Sequence, residues 1–367
     1  MSEQKKKVIK KKKLTKQQKF NRILATVIII ALSVAGLSWA ADKFISSRYN
    51  KGEQIPEDIR TADELKDDVV NILVCGLDWE EDRTAMMTDV IMYVTLDVKA
   101  KKVSAFQIPR DTYIDDVRGN KINAAYQNGN EKDKIMNTIK LINKRLGLPV
   151  DHYVTLDMEA FIAMVDGIDN GLKMYVPYPI ILKDKLTGKE EQIVGTPGWC
   201  YVDGKTAEQI VRNRNYPNQD LQRLEVQSYF YAAIIKNFTE TLNVSDFIKI
   251  MNRFTQYLTT DMHWTRIASL AQFGFSVPYE NMSIIKPATH GYLSVNPATG
   301  KNVAIVVAEE KEWADVLNEH FRPYQKPLSA QELHMEGPNW EVAQDYGYVS
   351  GSVQTIADIM NKSPENP

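Results

Sequence analysis

Residues 23–41, ILATVIIIALSVAGLSWAA, run for 19 residues without a charged side chain. That is close to the roughly 20 residues a helix needs to cross hydrocarbon at about 1.5 Å per residue. A buried core helix keeps some polar periodicity, whereas this run is apolar on every face, so one transmembrane helix is expected. Residues 1–22 hold ten Lys or Arg against a single acid, Glu3. Such a basic flank is expected to stay in the cytoplasm, leaving residues 42–367 outside the cell membrane. A cleaved signal peptide shares the charged start and apolar middle, but this run is long and lacks a convincing small-x-small site beyond residues 40–42.

The net charge of -2 conceals an asymmetry. Nine net positive charges sit in the first 22 residues, and the 35 basic and 46 acidic residues that follow leave the remainder at -11. So acidic a region is a poor general nucleic-acid binder, and the lysine-rich tail, lying directly before an apolar run, reads as a membrane flank. With 44% hydrophobic and 25% charged residues, the chain has material for one large core or two small ones, which excludes disorder throughout. Cys75 and Cys200 are the only cysteines, enough for one disulfide but not for a thiolate metal site. Cys75 lies inside an apolar run of strand character, a common structural setting for a free thiol.

Residues 42–68 are polar and read as a juxtamembrane linker. Apolar, β-branched runs at 69–77, 90–98 and 103–108 predict strands of a sheet buried on both faces, the last two joined by a hairpin turn at 99–102. Ile135, Ile139, Ile142 and Leu146 recur at helical spacing, and Gly147 with Pro149 beyond marks the stop. Further strands are expected at 152–156, 172–176, 282–285 and 302–307. Helices are expected at 160–165, 206–214, 219–238, 244–258, 264–273 and 311–321. The stretch 326–367 has weak periodicity and several prolines and reads as mostly irregular. Strands and helices interleave without a break in composition, which predicts one α/β (α+β) domain over 69–325, a central mixed sheet flanked by helices.

Polar clusters stand where the apolar runs end, the usual position of ligand contacts in sheet folds. They are Asp78 with Glu80, Glu81, Asp82 and Arg83; Thr88 and Asp89; Arg110 and Asp111 after Pro109; Lys121 and Asn123; Arg212, Asn213 and Arg214; and Asp220, Arg223 and Gln227. The last three share one helical face by their spacing of three and four. A guanidinium suits phosphate because its planar fork donates two parallel bonds and stays charged. Arg212 and Arg214 also suit capping of helix carbonyls, and the acids suit turns and N-caps. Carboxylates beside phosphate make sense with a hard cation between them, for which Asp78 and Asp89 are candidates and Asp82 an alternative.

The order of these motifs resembles the LytR-CpsA-Psr family, from about residue 71 to 321. The segments GLD, TD, IPRD, KINAAY, DHYVTLDMEAFIAMVDGIDNG, DGKTAEQIVRNR and DLQRLEVQ stand where the family has GxD, RSDT, IPRD, KINxAY, a DYY…VDxxGG stretch, DGxxALxYxRxR and DxxRxxRQ. The resemblance implies a membrane-anchored enzyme that transfers a glycopolymer, such as teichoic acid or capsule, from a polyprenyl-pyrophosphate carrier onto peptidoglycan, with Mg2+ on the pyrophosphate. It implies that Arg110, Arg212, Arg214, Arg223 and Gln227 contact the pyrophosphate, that Asp78 and Asp89 hold the metal, and that Asp111, Lys121 and Asn123 line or brace the same pocket. Asp111 either activates the acceptor hydroxyl or orients Arg110. The isoprenoid tail would occupy an apolar tunnel between sheet and helices.

The chain departs from the family pattern at Met87, where the family has the Arg of RSD, and at Val226, in place of the second Arg of DxxRxxRQ. Arg83 is a nearby substitute for the first. The doubled Gly of the VDxxGG turn is reduced to Asn170-Gly171. Two rivals use the same pocket: a phosphohydrolase that takes water in place of a sugar, and a non-catalytic lipid-binding regulator, to which Met87 lends weight.

Overall fold

Along part of the central strands every second residue enters a packed core and the residues between them face a hollow. The computed structural model describes residues 50–78, 86–129, 132–183, 189–213, 215, 219–241, 250, 253, 257–295 and 300–362. All belong to one unit, Arg48–Pro367. The apolar run at 23–41 lies outside the described residues, among which no helix is long and apolar enough to cross a membrane.

The first half contains β1 (Asn50–Lys51), β2 (Val69–Asp78), β3 (Met87–Asp97), β4 (Lys102–Ile108), α1 (Ala125–Asn128), α2 (Ile135–Leu146), β5 (His152–Leu156), α3 (Met158–Asp166) and β6 (Leu172–Val176). Then follow β7 (Ile180–Lys183), β8 (Glu190–Val194), β9 (Gly198–Val202), α4 (Gly204–Arg212), α5 (Gln219–Lys236), β10 (Leu258–Thr260) and α6 (Trp264–Ser276). The last part holds β11 (Met282–Lys286), β12 (Thr289–Val295), β13 (Asn302–Ala308), α7 (Glu310–His320), β14 (Val342–Val349), β15 (Ser352–Thr355) and α8 (Ile356–Lys362). Eight strands form one sheet in the order β1-β10-β5-β2-β3-β4-β11-β15. It is mixed: β2 pairs β3 and β3 pairs β4 antiparallel, while β5 joins β2 and β11 joins β4 in parallel. A second sheet has the order β13-β12-β14.

Local chemistry explains several boundaries. The β3–β4 turn closes because the Asp97 carboxylate accepts the Ala100 N–H at 2.7 Å and Lys101 adopts a left-handed conformation at φ 54°. Asp157 and Asp203 cap α3 and α4 through the N–H groups of Ala160 and Thr206. Gly147, at φ 60°, ends α2. Asn170 takes φ 68° ahead of Gly171 at φ 81°, so the single remaining Gly still allows the turn, with Asn in the left-handed position that it tolerates best among residues with a side chain.

On one face of the large sheet, Leu73, Cys75, Tyr93, Phe106 and Ile285 pack with Ile139, Trp313, Leu317 and Phe321 in a continuous core. Burial pushes the Cys75 thiol up, and both cysteines are free.

Two expectations need correcting. Residues 326–362 are not mostly irregular, since they include β14, β15 and α8. β14 is exposed along most of its length and its pairing with β12 shifts register twice, so it carries no buried stripe for periodicity to report. The helix expected over 244–258 falls largely outside the described residues, and Leu258 opens β10, which pairs with β5.

Candidate active site

The other face of the sheet is divided: Val70, Ile72, Leu96 and Val154 pack with Met262, Leu270 and Phe273 at one end, and the other end is hollow. A cavity of about 2140 Å³ runs between it and helices α3 and α5. Its floor is Val74, Met92, Val94, Val103, Ala105 and Ile284, and its roof includes Phe161, Met164, Phe230, Ile234 and Ile235. Along β2 and β3 the parity is strict: Leu73, Cys75, Ile91 and Tyr93 enter the packed core, while Val74, Gly76, Met92 and Val94 line the cavity.

That parity breaks at the mouth. Gly76 pairs with Val90 and Leu77 with Thr88, so Asp89 is the extra residue of a β-bulge. A bulge re-aims side chains, and beyond it Asp89 and Met87 join the cavity lining. The Asp89 carboxylate meets Arg110 Nη1 at 2.8 Å. Arg110 follows Pro109 at the end of β4, and its Nε lies 3.7 Å from Asp111. Lys121 Nζ donates to the other Asp111 oxygen at 2.8 Å. Asn123 is tied to the same stretch by its N–H on the Arg110 carbonyl at 3.2 Å, and its side-chain amide donates to Met87 Sδ at 3.8 Å.

Three further groups arrive from α4 and α5. Arg212 Nη1 donates to Glu208 one turn earlier at 2.8 Å, and Lys205 donates to the other oxygen of that carboxylate at 2.7 Å. Burial pushes the Glu208 carboxyl up, but these two bonds outweigh it and the net shift is downward. Gln227 Nε2 donates to the Val211 carbonyl at 3.1 Å, joining α5 to the end of α4. Arg223, one turn before Gln227, also lines the cavity and its charge acts on Tyr231, whose phenol burial pushes up to about 12.

Of the residues singled out from sequence, Asp89, Arg110, Asp111, Lys121, Asn123, Arg212, Arg223 and Gln227 therefore line one cavity. Asp78 ends β2 opposite Met87 in the strand register, and its side chain lies outside the described residues. Arg83 and Arg214 lie outside them as well. Val226, where the family has Arg, is fully buried with Ile210 and Phe230 on the side of α5 turned to the apolar core. Sequence reasoning missed Glu208, although its four-residue spacing to Arg212 is an ion-pair signal. It also missed the rim formed by Asp115, Asp116 and Arg118.

Among the described residues no group of three or more His, Cys, Asp or Glu is gathered to hold a metal. The donor chemistry still fits Mg2+, which takes one or two carboxylates, keeps several waters and completes its shell with substrate phosphate. Asp89 supplies one such carboxylate at the cavity mouth.

Comparison with known proteins gives consistent matches. The LytR_cpsA_psr family matches residues 40–319. The polyisoprenyl-teichoic acid–peptidoglycan teichoic acid transferase TagV of Bacillus subtilis is 27% identical over 268 residues, covering 68% of this chain and 66% of TagV. The transferase of the same type named TagU from Enterococcus faecalis is 22% identical, covering 69% of this chain and 82% of its own length. The crystal structure of B. subtilis TagV superposes with a TM-score of 0.57 at 22% identity, over 71% of this chain and all of that one, which shows a shared fold.

Proposed function

Because the chain belongs to the LytR_cpsA_psr family, we propose that it is a membrane-anchored phosphotransferase that moves a wall glycopolymer from a polyprenyl-pyrophosphate carrier onto peptidoglycan. Its domain would work on the outer side of the cell membrane, tethered by residues 23–41. One observation carries the reading: Arg110, Arg212 and Arg223, from three separate stretches of chain, line the polar end of one large apolar cavity. Charge-assisted bonds from guanidinium groups suit a diphosphate, and the apolar walls suit a polyprenyl tail.

In the proposed reaction an acceptor sugar hydroxyl attacks the phosphorus that carries the glycan. The new P–O bond forms as the bond to the bridging oxygen breaks, and polyprenyl phosphate leaves with that electron pair. Arg110, Arg212 and Arg223 neutralise the charge building on the leaving phosphate. Asp111, held by Lys121 at 2.8 Å, is available to take the hydroxyl proton, and its contact with Arg110 Nε also orients that guanidinium. A Mg2+ held by Asp89 and Asp78 would supply further neutralisation of the pyrophosphate oxygens.

The test is incubation of the full chain with lipid-pyrophosphate glycan, Mg2+ and peptidoglycan. Glycan attached to peptidoglycan is expected, with the rate falling on the order of a hundredfold in Arg110→Ala. Free phosphorylated glycan would assign a hydrolase instead, and bound but unchanged lipid a regulator.

A further inference from the structure

We propose that residues 333–340, beyond the family-matched stretch, are a positioning element for the 110–121 loop, with Trp340 as its principal contact; the catalytic consequence rests on the transferase reading above. Backbone pairing holds the loop in two places. At its start it runs as a short extra strand beside β13: Tyr113 N–H donates to the Val306 carbonyl at 2.7 Å, and Val306 N–H donates to the Asp111 carbonyl at 2.9 Å. It then folds back on itself, with Tyr113 bridged to Lys121 and Ile122 N–H on the Thr112 carbonyl at 2.8 Å. Arg110, Asp111 and Lys121 are thus carried by a backbone whose outer support is the β13-β12-β14 sheet.

The 333–340 stretch reaches this loop twice. The Trp340 ring stands edge-on to Tyr113, centroids 5.3 Å apart at 72°, and its indole N–H donates to Ser294 Oγ on β12. Tyr113 is buried, and the Trp340 ring is one of the surfaces it packs against. The second link is Arg145 on α2, which donates to the His334 carbonyl at 2.7 Å and grips Asp115 and Asp116, the latter at 2.9 Å. The stretch itself is anchored independently of the loop. Leu333 and Met335 are buried in the core with Trp313 and Phe321, and Met335 N–H donates to Glu310 at 3.0 Å. Support therefore runs from the core through residues 333–340 to the loop. The rest of the loop has its own support, with Ile114 and Val117 buried in the core, Lys144 and Arg145 on α2 paired with Asp116, and Asn128 donating to the Arg118 carbonyl at 2.9 Å, so residues 333–340 act on the Tyr113 end that follows Arg110 and Asp111.

The experiment uses the full chain with Trp340→Ala and Trp340→Phe. Backbone amide exchange at Tyr113 and Ile122 is expected to quicken about tenfold or more in Trp340→Ala, while amides of Leu73 and Val94 in the central sheet stay unchanged. In transfer assays kcat is expected to fall about tenfold with KM for the lipid carrier within about twofold, because a misplaced loop costs orientation more than binding. Trp340→Phe, which keeps an aromatic ring against Tyr113, should recover most of both. Unchanged loop exchange in Trp340→Ala overturns the proposal. So does faster exchange throughout the sheet, equal in both variants, since that marks general destabilisation. If the native chain transfers no glycan, the functional reading fails by itself, and the exchange measurement still decides the positioning role.

Discussion

The two faces of the central sheet are made by the same strands and do opposite things. One is filled by large rings and branched side chains, with Phe106 against Trp313 at 5.1 Å and against Phe321 at 5.4 Å. The other leaves about 2140 Å³ open beneath α3 and α5, floored by Val74, Met92, Val94 and Ala105. The contrast teaches that packing and open space are divided by strand parity, and under the proposed function so are stability and binding. A residue's neighbour along β4 belongs to a different physical problem from its own, because successive side chains leave opposite sides of the sheet.

The sharpest way to break this comparison is Phe106→Ala. On the packed face it removes a fully buried ring and should cost about 3–5 kcal/mol in denaturant unfolding, with lipid affinity per folded molecule unchanged. If stability barely moves, the packed face is not packed.

The adjacent residue tests the hollow face. Ala105→Phe points a ring into the cavity, so affinity for a polyprenyl-phosphate probe should fall about tenfold, roughly 1.4 kcal/mol, while the midpoint of unfolding changes little. Unaltered lipid binding would mean that the tail does not use this space.

The smallest effect comes from the mouth, where a charge belongs to both problems. Glu208 is buried and its carboxyl sits below the usual range because Lys205 and Arg212 outweigh the cost of burial. A depressed carboxyl pKa adds stability that is present above the unfolded-chain value of about 4.3 and lost as pH falls through the folded one. Glu208→Gln should therefore be about 1 kcal/mol less stable than the native chain at pH 7, with the gap closing under acid conditions. A gap that is constant across pH would remove the ion pairing from the explanation of how Arg212 is held.

Much of the site was legible because its residues announce themselves at the ends of apolar runs. Arg110 and Asp111 follow Pro109, which cannot continue the ladder, and Lys121 and Asn123 stand in a short motif with turns on both sides. The strands β2 to β4 were legible because they are apolar on both faces, one packed and the other half-buried along the cavity, so they read as β-branched runs and not as an alternation. β14 was not legible, because its pairing uses backbone groups that every sequence carries and its side chains mostly face water. The hollow was not legible either. Val74, Met92 and Ala105 look like ordinary core residues, and periodicity records that a side chain is apolar, not whether another side chain fills the space beside it.

The sequence alone determined which segments could be strands and helices, where the guanidinium and carboxylate groups stood along the chain, and which family pattern they follow. All of these are local properties of spacing and residue type. Tertiary structure decided that Asp89 turns into the cavity through a bulge, that Val226 takes a core-facing position on α5, and that Trp340 comes to rest on Tyr113 from 227 residues away. Those outcomes depend on how whole elements stack, and the free energy of stacking is shared among residues far apart in the chain, so no window of sequence contains it.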